Sequence, residues 1–175
     1  MIEFENKQVI FEGLPDVRKV DYQKLDPAYK TYALLSVVIS FGILFVIIGF
    51  SLLISGQLSS FSRAALFLLA FALLFGIRLF IKYYGYGKKG YAIRQHDVLY
   101  KSGIWWKRNV FIPKKRIQHV EIKKTPLEDA FEICRLLIFT AGGSGSDLVI
   151  PGLKPIVAER LKENLMTKIN SDEEE

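Results

Sequence analysis

Residues 33–54 run for 22 positions without a charge, and sixteen of them are Leu, Ile, Val or Phe. As a helix this segment is about 33 Å long, a match for a hydrocarbon core of about 30 Å. At roughly −0.4 kcal/mol per large apolar residue near the helix centre, insertion gains several kcal/mol. A soluble helix of this length keeps a polar face, and this segment has none. The sequence therefore predicts a membrane span.

A second apolar run covers residues 64–81, where twelve of 18 positions are Leu, Ile or Phe and Arg78 is the one charge. Extended to Tyr84 it reaches about 31 Å. An arginine at the centre of a span costs about 3 kcal/mol, but Arg78 lies in the last third, where its side chain snorkels to the headgroups. A functional intramembrane charge would need an acidic partner, and the first span holds no acid. Between the spans, residues 55–63 carry only Arg63. Lys24 and Lys30 precede the hairpin, and Lys82, Lys88, Lys89 and Arg94 follow it. This bias predicts that both termini are cytoplasmic, with Tyr29, Tyr32, Tyr83, Tyr84 and Tyr86 at the inner interface. The first span begins too far from Met1, and is too long, for a cleaved signal peptide. The expected division is an N-terminal cytoplasmic segment 1–31, a hairpin 32–84 with spans of about 33–54 and 64–84, a cytoplasmic domain 85–170, and an acidic, disordered tail 171–175.

After Gly90 the hydrophobic period changes. Runs rich in Val, Ile, Tyr, Trp and Phe alternate with turn signals, predicting strands near 91–95, 98–101, 104–113, 117–124, 135–140 and 148–150. Asp97 and Ser102-Gly103 mark tight turns, residues 142–146 form a Gly/Ser loop, and residues 127–133 suit a short helical connector. From Pro155 the period is helical, with Val157, Ala158, Leu161, Leu165 and Ile169 on one stripe. Several antiparallel strands closed by one helix give an α+β domain, a small β-roll or barrel with a helical cap.

These residues resemble the bacterial pleckstrin-homology domains. The likeness lies in Tyr91-Ala92-Ile93, in Val98-Leu99-Tyr100-Lys101-Ser102-Gly103, and in the run from Ile112-Pro113-Lys114-Lys115-Arg116 through Ile117-Gln118-His119-Val120-Glu121-Ile122. It continues in Thr125-Pro126-Leu127, in Thr140-Ala141-Gly142-Gly143-Ser144-Gly145, and in Ile150-Pro151-Gly152-Leu153. With Leu25-Asp26-Pro27 ahead of the first span, the chain is similar to the two-helix membrane form, the YdbS-like proteins, over about residues 25–170. Thr125 departs from the glycine more usual before Pro-Leu. The resemblance implies a seven-stranded pleckstrin-homology-like barrel with a C-terminal helix, placed in the cell membrane of a bacterium. It also implies a partner, a larger relative carrying several such domains, and it supplies no settled activity.

Little in the chain suggests catalysis. His96 and His119 lack the spacing of a metal site, and the lone Cys134 excludes an intrachain disulfide. Ser144 is not in a G-x-S-x-G elbow, and the glycine loop lacks the Lys-Ser or Lys-Thr of a phosphate-binding loop. Asp147 and Glu121 have no partner that the sequence identifies. The expectation is no enzyme, no cofactor and no metal.

The informative pattern is cations among aromatics. Between Lys82 and Lys124 twelve Lys or Arg stand against Asp97 and Glu121, a local net of +10. Such a block beside a span points to anionic lipid ahead of nucleic acid. Lys101, Trp105, Trp106, Lys107 and Arg108 lie across a hairpin. In a regular strand one tryptophan at most faces the core, and the other is free to sit at headgroup depth. Lys114, Lys115 and Arg116 form a second cluster, either a solvated loop or a lipid-facing patch. With Arg78, Lys82, Tyr83, Tyr84, Lys88 and Lys89 these are the candidates for the membrane interface. The eukaryotic relatives' phosphoinositide site does not carry over, because 94–97 is short and holds only Arg94 as a fixed cation. The expected function is a non-enzymatic scaffold that presents the basic domain to a partner membrane protein or to a second copy of itself. The alternatives are an anionic-lipid sensor and, third, a subunit of a transporter or membrane enzyme.

Overall fold

The computed structural model describes residues 20–56, 60–141 and 146–172, with side chains through Met166. Much of the N-terminal segment, part of the interhelical loop, Gly142 to Gly145 of the Gly/Ser loop and residues 173–175 of the acidic tail lie outside the described residues.

The first helix, α1 (Pro27–Ile54), starts ahead of the predicted span. Pro27 fills the first helical position, where its missing N–H costs nothing, and the Asp26 carboxylate accepts from the Ala28 N–H at 2.8 Å. At 28 residues α1 is about 42 Å long, so about 12 Å of it extends beyond a hydrocarbon core. The second helix, α2 (Phe61–Tyr86), runs back antiparallel to it. The seam is a row of phenylalanines, with Phe41 and Phe71 ring centres 5.5 Å apart and Phe45 and Phe71 5.0 Å apart. No residue of α2 is buried, and Ile43, Val46, Leu69 and Leu73 stand exposed on the outer faces. Apolar surface of that extent is stable in lipid and not in water, so the chain is a membrane protein.

Only residues 87–89 separate α2 from the first strand. Sheet A consists of β1 (Gly90–Ile93), β2 (Asp97–Ser102) and β3 (Arg108–Pro113), in that order and antiparallel. A single 3-10 turn (Lys114–Arg116) leads to β4 (Ile117–Lys123), and α3 (Pro126–Ala130) connects to β5 (Cys134–Thr140) and β6 (Leu148–Leu153). Sheet B has the order β4-β5-β6, also antiparallel, and α4 (Pro155–Asp172) closes over it. Val98, Ile112, Val120, Leu136, Ile138 and Ile150 fill the interior, with Ala158 and Leu165 of the predicted helical stripe buried against them. The sheets do not close on each other, so the architecture is a pleckstrin-homology-like roll capped by a helix.

Two expectations change. The third strand begins at Arg108 and not at residue 104, because Gly103 holds φ +104° and turns the chain. A Cβ at Gly103 would lie 1.9 Å from the Trp106 carbonyl oxygen, so only glycine fits this tip. The described residues hold six strands where the resemblance implies seven. Ahead of the membrane, however, Gln23 makes a two-bond bridge to Tyr91 on β1, at 2.8 and 3.0 Å. The segment read as separate thus adds a minimal strand to the edge of sheet A.

That segment is a clamp. Leu25 is 2% exposed and belongs to the core of the roll. The Asp26 N–H donates to the Gly152 carbonyl at 2.9 Å, and the Tyr86 hydroxyl donates to the Leu25 carbonyl at 2.9 Å. Burying one such leucine contributes about 2 kcal/mol. The foot of α1 continues the contact: Tyr29 is buried on Gly152, and Tyr32 stacks on Tyr29 and meets Phe131 edge-on. Below it Thr125 and Glu128 form a capping box at the start of α3, which is why threonine serves where glycine is usual. Glu128 is 1% exposed and also receives Arg135 Nη2 at 2.7 Å and Arg135 Nε at 3.0 Å.

Candidate interface at the foot of the hairpin

Antiparallel helices place Phe41 opposite Phe71 and Phe75, and Phe45 opposite Phe67. A hydrocarbon core of about 30 Å then covers roughly 35–54 on α1 and 61–80 on α2. Arg78 falls at its boundary on the domain side. Lys82 stands one turn farther along the same face, followed by Gly85 and Tyr86.

The β2–β3 tip packs against this face. Ile104 Cδ1 lies 3.6 Å from where a Cβ on Gly85 would be, so the absence of a side chain at Gly85 lets the tip approach α2. Tip and helix together enclose a cleft of about 440 Å³ lined by Arg78, Lys82, Lys89, Tyr29, Trp105 and Trp106, among others. The Lys89 ammonium donates to the Tyr29 hydroxyl at 2.9 Å, and burial lowers its pKa from the ordinary lysine value. Neither tryptophan enters the core: Trp105 is 66% exposed and Trp106 86% exposed. Strand alternation does not govern them because residues 104–107 form the turn.

The other candidates separate into groups. Lys101 is drawn over the Tyr22 ring, with its Nζ 3.9 Å from the centroid, so it serves the clamp. Tyr83 holds Lys30 of α1 over its ring at 3.9 Å and neighbours Tyr84; both tyrosines are half exposed. Lys88, Lys107 and Arg108 are exposed near the tip end of sheet A. Lys114, Lys115 and Arg116 follow β3 and lie at the opposite end, about 17 Å along the strand from Arg108. Two Debye lengths at physiological salt are about that distance. The expected basic face is therefore two sites. Lys114 leaves both: it is 7% exposed, and its Nζ donates to Asn164 Oδ1 of α4 at 3.0 Å. Lys115 and Arg116 are exposed.

Arg94, the one fixed cation of the β1–β2 turn, is engaged by the Asp97 carboxylate. The carboxylates that sequence left without partners have structural ones. Asp147 accepts from the Thr140 N–H and hydroxyl, which lowers its pKa, and Lys123 and His119 do the same for Glu121. What the sequence reading lacks is Gln23, and the packing of Leu25 and Tyr29 on the roll. Asp26-Pro27 was the available signal, since an N-cap followed by proline starts a helix there.

A family model described as "Bacterial PH domain" matches residues 32–169. The UPF0699 transmembrane protein YdbS of Bacillus subtilis (strain 168) is 28% identical over 85 residues, 47% of this chain and 52% of that protein. The chain thus matches about half the length of this curated relative. No solved structure matches. The family match spans the second half of the α1 foot, both helices of the hairpin and the roll, and the relative is likewise a transmembrane protein. The chain belongs to the bacterial PH domain family, in its YdbS-like membrane form.

Proposed function

We propose that this protein is a non-enzymatic assembly module that holds a basic PH-like domain at a fixed height on the inner face of a bacterial cell membrane. Both termini are cytoplasmic in this reading, supported by Lys24, Lys30, Lys82, Lys88 and Lys89 at one end of the hairpin against Arg63 at the other. The far end of sheet A, with exposed Lys115 and Arg116, meets an acidic surface of a partner membrane protein. A larger relative with several PH-like domains is the partner class that the family resemblance favours.

One observation carries this reading. Lys115 and Arg116 stand about 17 Å along β3 from the tip that packs on α2, in a domain tied to the hairpin by the clamp, and this separation favours a protein surface over lipid phosphates as their partner. The test is copurification in mild detergent after crosslinking in native membranes. A stable partner is expected with the unaltered chain, and the Lys115→Glu, Arg116→Glu double variant should recover it at least tenfold less while inserting normally. Recovery of the unaltered chain only as a lone monomer, or equal recovery with the double variant, contradicts the proposal.

A further inference from the structure

We infer that the cleft at the foot of the hairpin is a binding site for one anionic phospholipid molecule, with its phosphate on Arg78, Lys82 and Lys89 and an acyl chain along the α1–α2 seam.

The cations are grouped without acids. Arg78 and Lys82 are four residues apart on one helix face, and Lys89 joins them from the turn after α2. No carboxylate lines the cleft, and among the described residues none pairs with any of the three. Lys89 is the most telling, since it is held half-buried with only a neutral hydroxyl and the Tyr29 ring beside it. Its lowered pKa has the sign of a desolvated cation lacking a counter-charge, and a phosphate supplies one.

The apolar half of the ligand follows from a second cavity. A groove of about 360 Å³ runs along the seam, lined by Phe41, Leu44, Phe67, Phe71 and Leu74, and ending at Arg78. Arg78 therefore lines both cavities, the cationic one outside the hydrocarbon boundary and the apolar one inside it. A free phosphate would use only the first. A phospholipid spans both, with its polar–apolar junction at the depth of Arg78. Trp105 and Trp106 form the outer wall, where indole rings suit the headgroup region.

The chain holds two tryptophans, and both line this cleft, so intrinsic fluorescence reports the site directly. The full chain in phosphatidylcholine nanodiscs is titrated with phosphatidylglycerol as the probe, and native mass spectrometry counts the lipid retained. A saturable change in emission with one phosphatidylglycerol retained per chain is expected. Arg78→Gln and Lys82→Gln should each weaken it at least fivefold, and Lys89→Met at least tenfold, whereas Lys162→Gln on exposed α4 leaves it unchanged. The two α2 variants decide the matter if Lys89→Met fails to fold. Inorganic phosphate producing the same saturation would reassign the cleft to a free anion. Equal response to added phosphatidylcholine, or unchanged affinity in the cation variants, overturns the proposal.

Discussion

Replacing Gly152 by alanine is expected to destabilise the protein by about 2–5 kcal/mol and to release the segment ahead of α1 from the roll. Gly152 holds φ +63°, a conformation that costs an L-residue about 1–2 kcal/mol. A Cβ there would also stand 2.4 Å from Tyr29 Cγ and 2.7 Å from its Cδ2. The Tyr29 ring is buried at the foot of a membrane-spanning helix and has little room to retreat, so overpacking adds about 1–3 kcal/mol. Tyr29→Ala alone should cost about 3 kcal/mol by loss of packing. In that background the ring is gone, so its share of the overpacking is relieved, while the backbone cost and the contact with the residue 29 Cβ at 2.5 Å remain. The two changes are therefore expected to be markedly non-additive in chemical unfolding of the detergent-solubilised protein. Additive effects would mean that the ring and the glycine do not touch.

The second large effect is expected at Glu128. This buried carboxylate accepts from the Thr125 N–H and hydroxyl at the start of α3 and receives two N–H groups of Arg135, so its removal leaves a half-buried guanidinium and those two Thr125 donors without their acceptor. Glu128→Ala should cost about 3 kcal/mol, the lower end for breaking a buried pair, because Arg135 retains a route to water. Glu128→Gln preserves shape and one acceptor and should cost about 1–2 kcal/mol. Thermal unfolding followed by circular dichroism separates the two. A negligible change in Glu128→Ala would show that the pair contributes nothing net.

What the sequence revealed and what it concealed divide by the range of the interaction. The spans were legible because a charge-free run has one stable environment. The order of the strands was legible because alternation and turn residues act within a few positions. The start of the third strand was misplaced for a local reason: the strand propensity of residues 104–107 does not survive the positive φ at Gly103. Lys114 was misjudged for a distant one, since Asn164, 50 positions later, takes its ammonium. The clamp was hidden for the same reason. Gln23 and Tyr91 are separated by the whole hairpin, and no periodicity in either segment announces a single bridge. Of the interface itself, the cations and tryptophans were legible by composition. Their division into a membrane-level cleft and a far-end pair depended on the direction of β3.

The clamp decides where the domain sits, because a domain free to swing would mix the two basic sites. Amide hydrogen exchange of the chain in nanodiscs, read by mass spectrometry on peptides covering residues 22–29, measures it directly. The N–H groups of Gln23 and Asp26 are bonded to the roll, so their exchange is predicted to be as slow as that of β1 and β6. Exchange of these two amides at the rate of an unstructured tail would contradict the clamp and, with it, the fixed placement of the domain.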